Sequence, residues 1–416
     1  MSTRNPIATE DQLEIERRGV EFFSHPRLVS TMKEVKDYWI DTNKPSAEML
    51  ACLEDWAFEE VMFAATIWSL NQDPLYPRVV TITRLAHQLG DLRIPGTRWG
   101  IDNPDSVYRV IPISGDEKYR IRGKVAQGRR LTENYFTLWD KQMNSVDVLN
   151  GKELKLASDG SFEISVDSDP AGDRPNHIRS SPAAHEFYIR DVVMDWEKEM
   201  INDLSIERLG ATPSRPPFSF EQQLDLTAEY MWKWVKDSDR WNAQSDASPV
   251  NELAYTIDRD TDGGMRNQIY IFGKFLLPSS EHALILDVNL GGADYFIAPV
   301  SNRWGTTNEV LNGTGSLNRA QSIANPDGSL TYVLSVADPG VHNWLDTSGM
   351  HEGVLTLRWA EFSGDEPGAD LAVTSRLVSL SDLEKELPAG TRFVTPAERT
   401  VQLRDRARSY AWRLAE

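Results

Sequence analysis

The chain has 416 residues, 40% of them hydrophobic and 26% charged, which is enough apolar material for two or three cores and excludes a disordered chain. Acidic residues outnumber basic ones 63 to 44, a formal net charge of -19, so the surface field repels phosphate backbones and anionic lipid and argues against nucleic acid as a partner. A single cysteine, Cys52, excludes an internal disulfide framework and agrees with a reducing compartment.

The amino terminus, MSTRNPIATEDQLEIERRGVEFF, carries charges every few residues and lacks the apolar run of a signal peptide or membrane span. It reads as cytoplasmic, with no membrane partner. From Gln12 to Asn71 apolar residues recur at helical spacing, predicting a helical N-terminal region over 1–90 in which Cys52 is a buried, inert thiol. The stretch GDLRIPGTRWGIDNPD, Gly90 to Asp105, breaks that period. Alternating runs follow, SVYRVIPI, KYRIRGKVA, NYFTLWD, SFEISVD and EFYIRDVVMDW, and predict the strands of a first unit over 91–215. A helical pattern from Phe220 to Gln244 predicts a linking helix within 216–250. Five further runs, NQIYIFGKFLL, HALILDVNL, DYFIAPVSN, LTYVLSVAD and GVLTLRWAEF, predict a second unit over 251–365. The tail, 366–416, reads as helical, with Thr395 as N-cap, Pro396 at the first helical position and Glu398 completing a capping box.

The two strand-rich units share landmarks in one order: Tyr108 and Tyr270, the YF pairs at Tyr135 and Tyr295, DGS at Asp159 and Asp327, DP at Asp169 and Asp338, Asn176 and Asn343, the His-Glu pairs at His185 and His351, and Arg190 and Arg358. Their offset stays between 160 and 169 residues, which implies an internal duplication. The expected fold is mainly β: two antiparallel, jelly-roll-like β-sandwich copies with an N-terminal helical cap, a linking helix and a C-terminal helix. Recurring residues read as builders of each copy: DGS as a turn, DP as a strand end, the arginine as a pairing or capping group at a strand end, and the His-Glu pair as structural. Residues that differ between copies then become the functional candidates. His342, Trp344 and Asp346 stand where the first copy has Pro175, His177 and Arg179, and Asn302, Arg303 and Trp304 follow the second YF.

The second copy, from ADYFIAPVSNRW to NWLDTSGMHEGVLTLRW, resembles the bacterial and fungal family of domain of unknown function 1214, with its aromatic strand, asparagine-rich loop, DGS hairpin and NWL segment. The first resembles the companion domain of unknown function 1254, whose NNDTLYS-like motif is matched by Asn103, Pro104, Asp105 and Tyr108. The resemblance covers Gly96 to Phe362 and implies the paired fold without an assigned activity; His342 before NWL, and aspartate where the family has proline after it, depart from the pattern.

No P-loop, dinucleotide fingerprint, paired CxxC or HExxH occurs, which disfavours a nucleotide enzyme or a zinc protease. Asp258, Asp260, Asp262 and Gly263 match the start of a calcium loop, but its twelfth position is Ile269 rather than a bidentate glutamate, so neither metal nor cofactor is expected. The candidate constellation pairs His342 and Asp346 as catalytic acid and base. Asn302, Arg303, Trp304 and Trp344, with Asp102, Asn103, Asp105 and Tyr108 of the first copy, are the ligand-binding candidates in a cleft between the copies. Two classes of function stay open: an enzyme of hydrolase, lyase or transferase type on a ring-bearing or sugar-like small molecule, and a non-catalytic ligand-binding or interaction protein. The expected partner is a small-molecule ligand, and homo-oligomer formation stays open.

Overall fold

The computed structural model describes residues 5–126, 130–253, 268–362 and 366–415. The calcium-like residues Asp258, Asp260, Asp262 and Gly263 lie outside the described residues.

Helix α1 (Glu10–Phe23) starts where the Thr9 side chain accepts from the Gln12 amide, and α2 (Pro26–Asn43) has proline in its first turn. A short α3 (Ala47–Cys52) runs through one π-helical turn, Leu53–Ala57, into α4 (Phe58–Leu70). Buried from Glu60 to Leu70, α4 is the centre of the helical region. The long linking helix α5 (Phe220–Asp246) opens on a Ser219/Gln222 capping box and packs along α4 and α2. Trp39, Trp68, Trp234 and Trp304 fill the space between these helices and the strands below.

The first copy comprises β1 (Val80–Ile82), the hairpin β2 (His87–Leu89) and β3 (Leu92–Ile94), β4 (Ser106–Pro112), β5 (Lys118–Lys124), β6 (Glu133–Trp139), β7 (Ser145–Asn150), β8 (Ser161–Asp167), β9 (His177–Arg179), β10 (Glu186–Val192) and β11 (Asp203–Leu209). The second comprises β12 (Gln268–Leu276), β13 (His282–Asn289), β14 (Ala293–Ser301), β15 (Ser316–Asn318), β16 (Leu330–Ser335), β17 (Trp344–Asp346), β18 (Glu352–Phe362) and β19 (Ala372–Ser379). A single turn, α6 (Leu383–Glu386), precedes α7 (Pro396–Tyr410), whose Thr395/Glu398 capping box forms as expected.

Strand order repeats between the copies. Sheet order β1-β4-β10-β6-β7 over β11-β5-β8-β9 returns as β12-β18-β14-β15 over β19-β13-β16-β17. In both copies one short strand pairs parallel to its neighbour, β9 to β8 and β17 to β16, while the other ladders are antiparallel. Tyr108 lies opposite Arg190, and Tyr270 opposite Arg358. The DGS turns match atom for atom: Asp159 and Asp327 each accept from the amide and hydroxyl of Ser161 and Ser329, with Gly160 and Gly328 at φ 82° and 87°, where glycine is favoured.

Three expectations are corrected. The 1–90 region is helical only to Leu70, the end that the spacing to Asn71 predicts; beyond it β1 joins the first copy's sheet beside β4, and β2 and β3 form a separate hairpin against the helices. The tail from 366 begins with a strand, β19, in which only Val373 is fully buried and Thr, Ser and Arg interrupt the apolar alternation on both faces. Arg190 and Arg358 stand inside β10 and β18 rather than at strand ends. The YF landmark is also two residues out of step: Tyr135 lies opposite Arg190, but Ile297 lies opposite Arg358. A shift of two keeps the same face of the sheet, so the pattern survives it.

Candidate functional site

Strand alternation decides which residues meet at the junction. Ile111, Phe136, Leu138, Phe187 and Ile189 point into the first sandwich, so Tyr108, Tyr188 and Arg190 point out of it. Ile269, Ile271, Phe296, Leu357 and Trp359 fill the second, leaving Gln268, Tyr270, Tyr295 and Arg358 on its outer face. These two outer faces meet. Val192 of β10 packs with Tyr295, Ile297 and Ala360 of the second copy, and Gln268 of β12 bonds to Glu133 of β6. The register makes Tyr295 the counterpart of Glu133, and Ser106 that of Gln268. Tyr295 donates to Asp105, next to Ser106, so the same contact recurs with the copies exchanged and an approximate twofold relates them.

On that twofold the arginines and tyrosines converge. Tyr188 stacks on Trp139 at 4.2 Å and on Tyr108 at 5.1 Å, from the strands on either side of β10. The Arg190 guanidinium sits 5.2 Å from the Tyr188 ring centre, and that of Arg358 sits 5.5 Å from the Tyr270 ring centre. Arg358 donates through Nη2 to the Ile101 carbonyl and, at 3.5 Å, to that of Asp102, while its Nε has no hydrogen-bond partner among the described residues. Tyr188 and Tyr270 are only half-buried. The Tyr270 hydroxyl donates to Gln268, whose amide donates to both oxygens of Glu133 at 2.6 and 2.7 Å. Burial pushes the Glu133 carboxyl up to about 7, against the pull of the Gln268 bond and of Arg190. The assembly therefore offers stacking rings, fixed cations and one carboxyl able to exchange a proton near neutral pH.

Of the expected residues, four lie at this junction. Tyr108 belongs to the cluster itself. Asp105 is fully buried and accepts from Trp196 at 2.7 Å, Asn318 at 2.9 Å and Tyr295 at 3.0 Å; burial pushes it up to about 6. Asn103 donates to the Tyr295 hydroxyl at 2.8 Å and caps the Asp105 amide, and Asp102 accepts from the Thr307 amide at 2.8 Å. Asp102, Asn103 and Asp105 thus bind the copies to each other.

The other six are elsewhere. Asn302 shapes its own turn, accepting from the Trp304 amide at 2.9 Å, and Arg303 pairs with Asp246 of α5 at 2.6 Å. Trp304 is buried in the helical core, stacked on Trp39 at 4.4 Å. His342, Trp344 and Asp346 belong to the β17 edge of the second copy's outer sheet. His342 meets Asn343 at 3.2 Å and Gln402 of α7 at 3.5 Å, and among the described residues no carboxylate is its partner; burial and Arg399 lower its pKa. Asp346 accepts from the Ser348 amide at 2.8 Å, and Trp344 donates to the Ser335 carbonyl at 3.1 Å. The expected His342–Asp346 pair is thus not formed: neither side chain is a hydrogen-bond partner of the other. The recurring histidine is structural in its contacts, His351 pairing at 2.8 Å with Glu48 of α3 rather than with Glu352.

Sequence reasoning misses Glu133, Tyr188, Arg190, Gln268, Tyr270 and Arg358 as site residues. Their signal is the recurrence of Tyr and Arg in both copies, a pattern that reads first as construction. Among the described residues no three His, Cys, Asp or Glu side chains gather as a metal site, and no helix is long and apolar enough to cross a membrane.

No family model matches the chain, and no curated protein matches it. Among solved structures, an uncharacterised protein from Burkholderia cenocepacia is similar at 22% identity with a TM-score of 0.72, over 88% of this chain and 99% of that one. The VPA0106 protein from Vibrio parahaemolyticus is 12% identical with a TM-score of 0.43, over 67% of this chain and 90% of that one. The first likeness shows a shared, mainly β fold with helical additions.

Proposed function

We propose that the protein binds a small ring-bearing molecule at the junction of its two sandwiches, and that binding without chemistry is its main role. One observation carries this reading: two Arg–Tyr pairs at matching registers, Arg190 with Tyr108 and Arg358 with Tyr270, converge between the copies beside the half-buried rings of Tyr188 and Tyr270. Junctions between domains are where ligand sites concentrate, and aromatic walls with a few fixed polar groups are their usual lining. We take the chain to be cytoplasmic and to belong with the paired domains of unknown function 1254 and 1214.

An enzymatic reading is favoured by one feature, Glu133. A buried carboxyl near neutrality and within the field of two guanidiniums is suited to proton transfer, which the expected His342–Asp346 pair is not. The test of binding is ligand-observed NMR with a panel of aromatic and sugar fragments. Signals weakened by Tyr188→Ala and Tyr270→Ala and unchanged by His342→Ala support the junction. Signals that depend on His342 instead overturn it.

A further inference from the structure

We infer that the molecule held at the junction carries a carboxylate, which Arg358 binds while the attached ring lies against Tyr270 and beside the hydroxyl edge of Tyr188; this rests on the binding reading above.

The argument turns on how Arg358 is accommodated. Its side chain is 6% exposed, yet its hydrogen bonds go to neutral groups, the Ile101 and Asp102 carbonyls and the Tyr108 hydroxyl, and among the described residues no carboxylate comes within 4.0 Å of it. Other interior arginines divide into two groups. Arg98 pairs with Glu60, Arg84 with Glu16 and Arg109 with Asp191, whereas Arg406 and Arg413 of the C-terminal segment, like Arg358, bond carbonyls and neutral side chains; Arg358 is the one of these three beside the junction tyrosines. A buried guanidinium costs several kcal/mol to desolvate, on the order of the gain from a well-formed ion pair, so buried arginines are ordinarily paired. The acidic groups nearest to Arg358 are already engaged. Both oxygens of Glu133 accept from the Gln268 amide, and Glu361 pairs with Lys152 and accepts from Tyr135. What Arg358 leaves unpartnered among the described residues is a buried Nε donor, and a guanidinium edge presenting Nε–H matches a planar carboxylate.

Two further features fix the rest of the ligand. Tyr188 has no hydrogen-bond partner for its hydroxyl among the described residues, and that half-buried hydroxyl stands in the electrostatic field of Arg358 and Arg190. It can donate to a second oxygen. The overall charge of -19 penalises the approach of multiply charged anions, so a monoanion fits better than a phosphate dianion.

Calorimetry on the full chain at pH 6.5 with benzoate, 4-hydroxybenzoate, their carboxamides and phenyl phosphate tests this. Each carboxylate is expected to bind at least tenfold tighter than its amide, with the preference lost in Arg358→Gln, retained in part in Arg358→Lys and Tyr188→Phe, and unchanged in the exposed variant Arg404→Gln. Should Arg358→Gln fail to fold, the Lys and Phe variants carry the comparison. Amides that bind as tightly as acids, in a manner sensitive to Tyr188→Phe, would remove the anion and leave the junction site standing. Phenyl phosphate binding tighter than benzoate would overturn the carboxylate. Absence of binding by every ring probe would overturn both the inference and the site.

Discussion

Asn343 makes with Ile323 and Thr331 the three backbone hydrogen bonds that Asn176 makes with Lys155 and Glu163. Each side chain accepts from a loop amide and donates to that residue's carbonyl and to a strand carbonyl, tying the loop to the sheet. Replacing either asparagine with alanine leaves buried backbone groups unsatisfied, and each variant is expected to lose about 2–3 kcal/mol in urea denaturation. His342→Ala, one residue away but only half-buried, should lose about 1 kcal/mol or less and leave junction binding unchanged. A larger loss for His342→Ala than for Asn343→Ala would contradict the anchoring role of the asparagine.

Asp105 accepts three hydrogen bonds at the junction, so Asp105→Ala should cost about 3–5 kcal/mol. Asp105→Asn keeps the acceptor for Trp196 and Asn318 and should cost about 1 kcal/mol at pH 5. Equal losses for the two variants would mean that the oxygen facing Tyr295, which the amide replaces, holds the copies together rather than the one shared by Trp196 and Asn318.

Glu133 gives a pH signature. Its folded pKa of about 7 lies above its ordinary 4.5, so the folded state holds the proton more readily than the unfolded state. Its contribution to stability is complete below about 4.5 and is lost as pH rises through 7, by about 3 kcal/mol. Glu133→Gln, which remains neutral, should therefore gain stability relative to the natural chain between pH 5 and pH 8 by roughly that amount. Facing this carboxyl are Gln268 of β12, Arg190 of β10, and Arg358 and Glu361 of β18. Neutral Glu133 no longer competes for the guanidiniums, so benzoate binding should tighten as pH falls from 8 to 6; a pH-independent affinity would separate Glu133 from the site.

Cys52 has its thiol pushed up to about 11, chiefly by burial, with the Asn302 amide 3.8 Å away. At pH 7.5 maleimide labelling of the folded protein should be at least tenfold slower than labelling in urea. Equal rates would place the thiol in solvent.

The duplication and ten of the strands are legible in the sequence because period-two runs and turn residues are local signals. Strands such as β9 and β17 are not, since three residues carry no period and their pairing is set by tertiary contact. The convergence at the junction is not legible for a different reason. Differences between copies draw attention to His342 and Trp304, which turn out to be an edge residue and a core residue. When two copies face each other, residues repeated in both meet on the shared axis, so recurrence at Tyr108, Tyr270, Arg190 and Arg358 points at the junction. A one-dimensional comparison carries no information on how the copies are oriented, and that orientation decides which of the two rules applies.

The exchange of contacts between copies is approximate in one place that matters. Tyr188 precedes Arg190 by two residues, and the same position before Arg358 is Thr356, so an aromatic ring in one copy corresponds to a buried small hydroxyl in the other. A symmetric dimer of a single copy would offer any asymmetric guest two equal poses, head to tail and reversed. Two halves in one polypeptide are free of that constraint, because a substitution in one copy leaves its counterpart in the other untouched, as Tyr188 and Thr356 show.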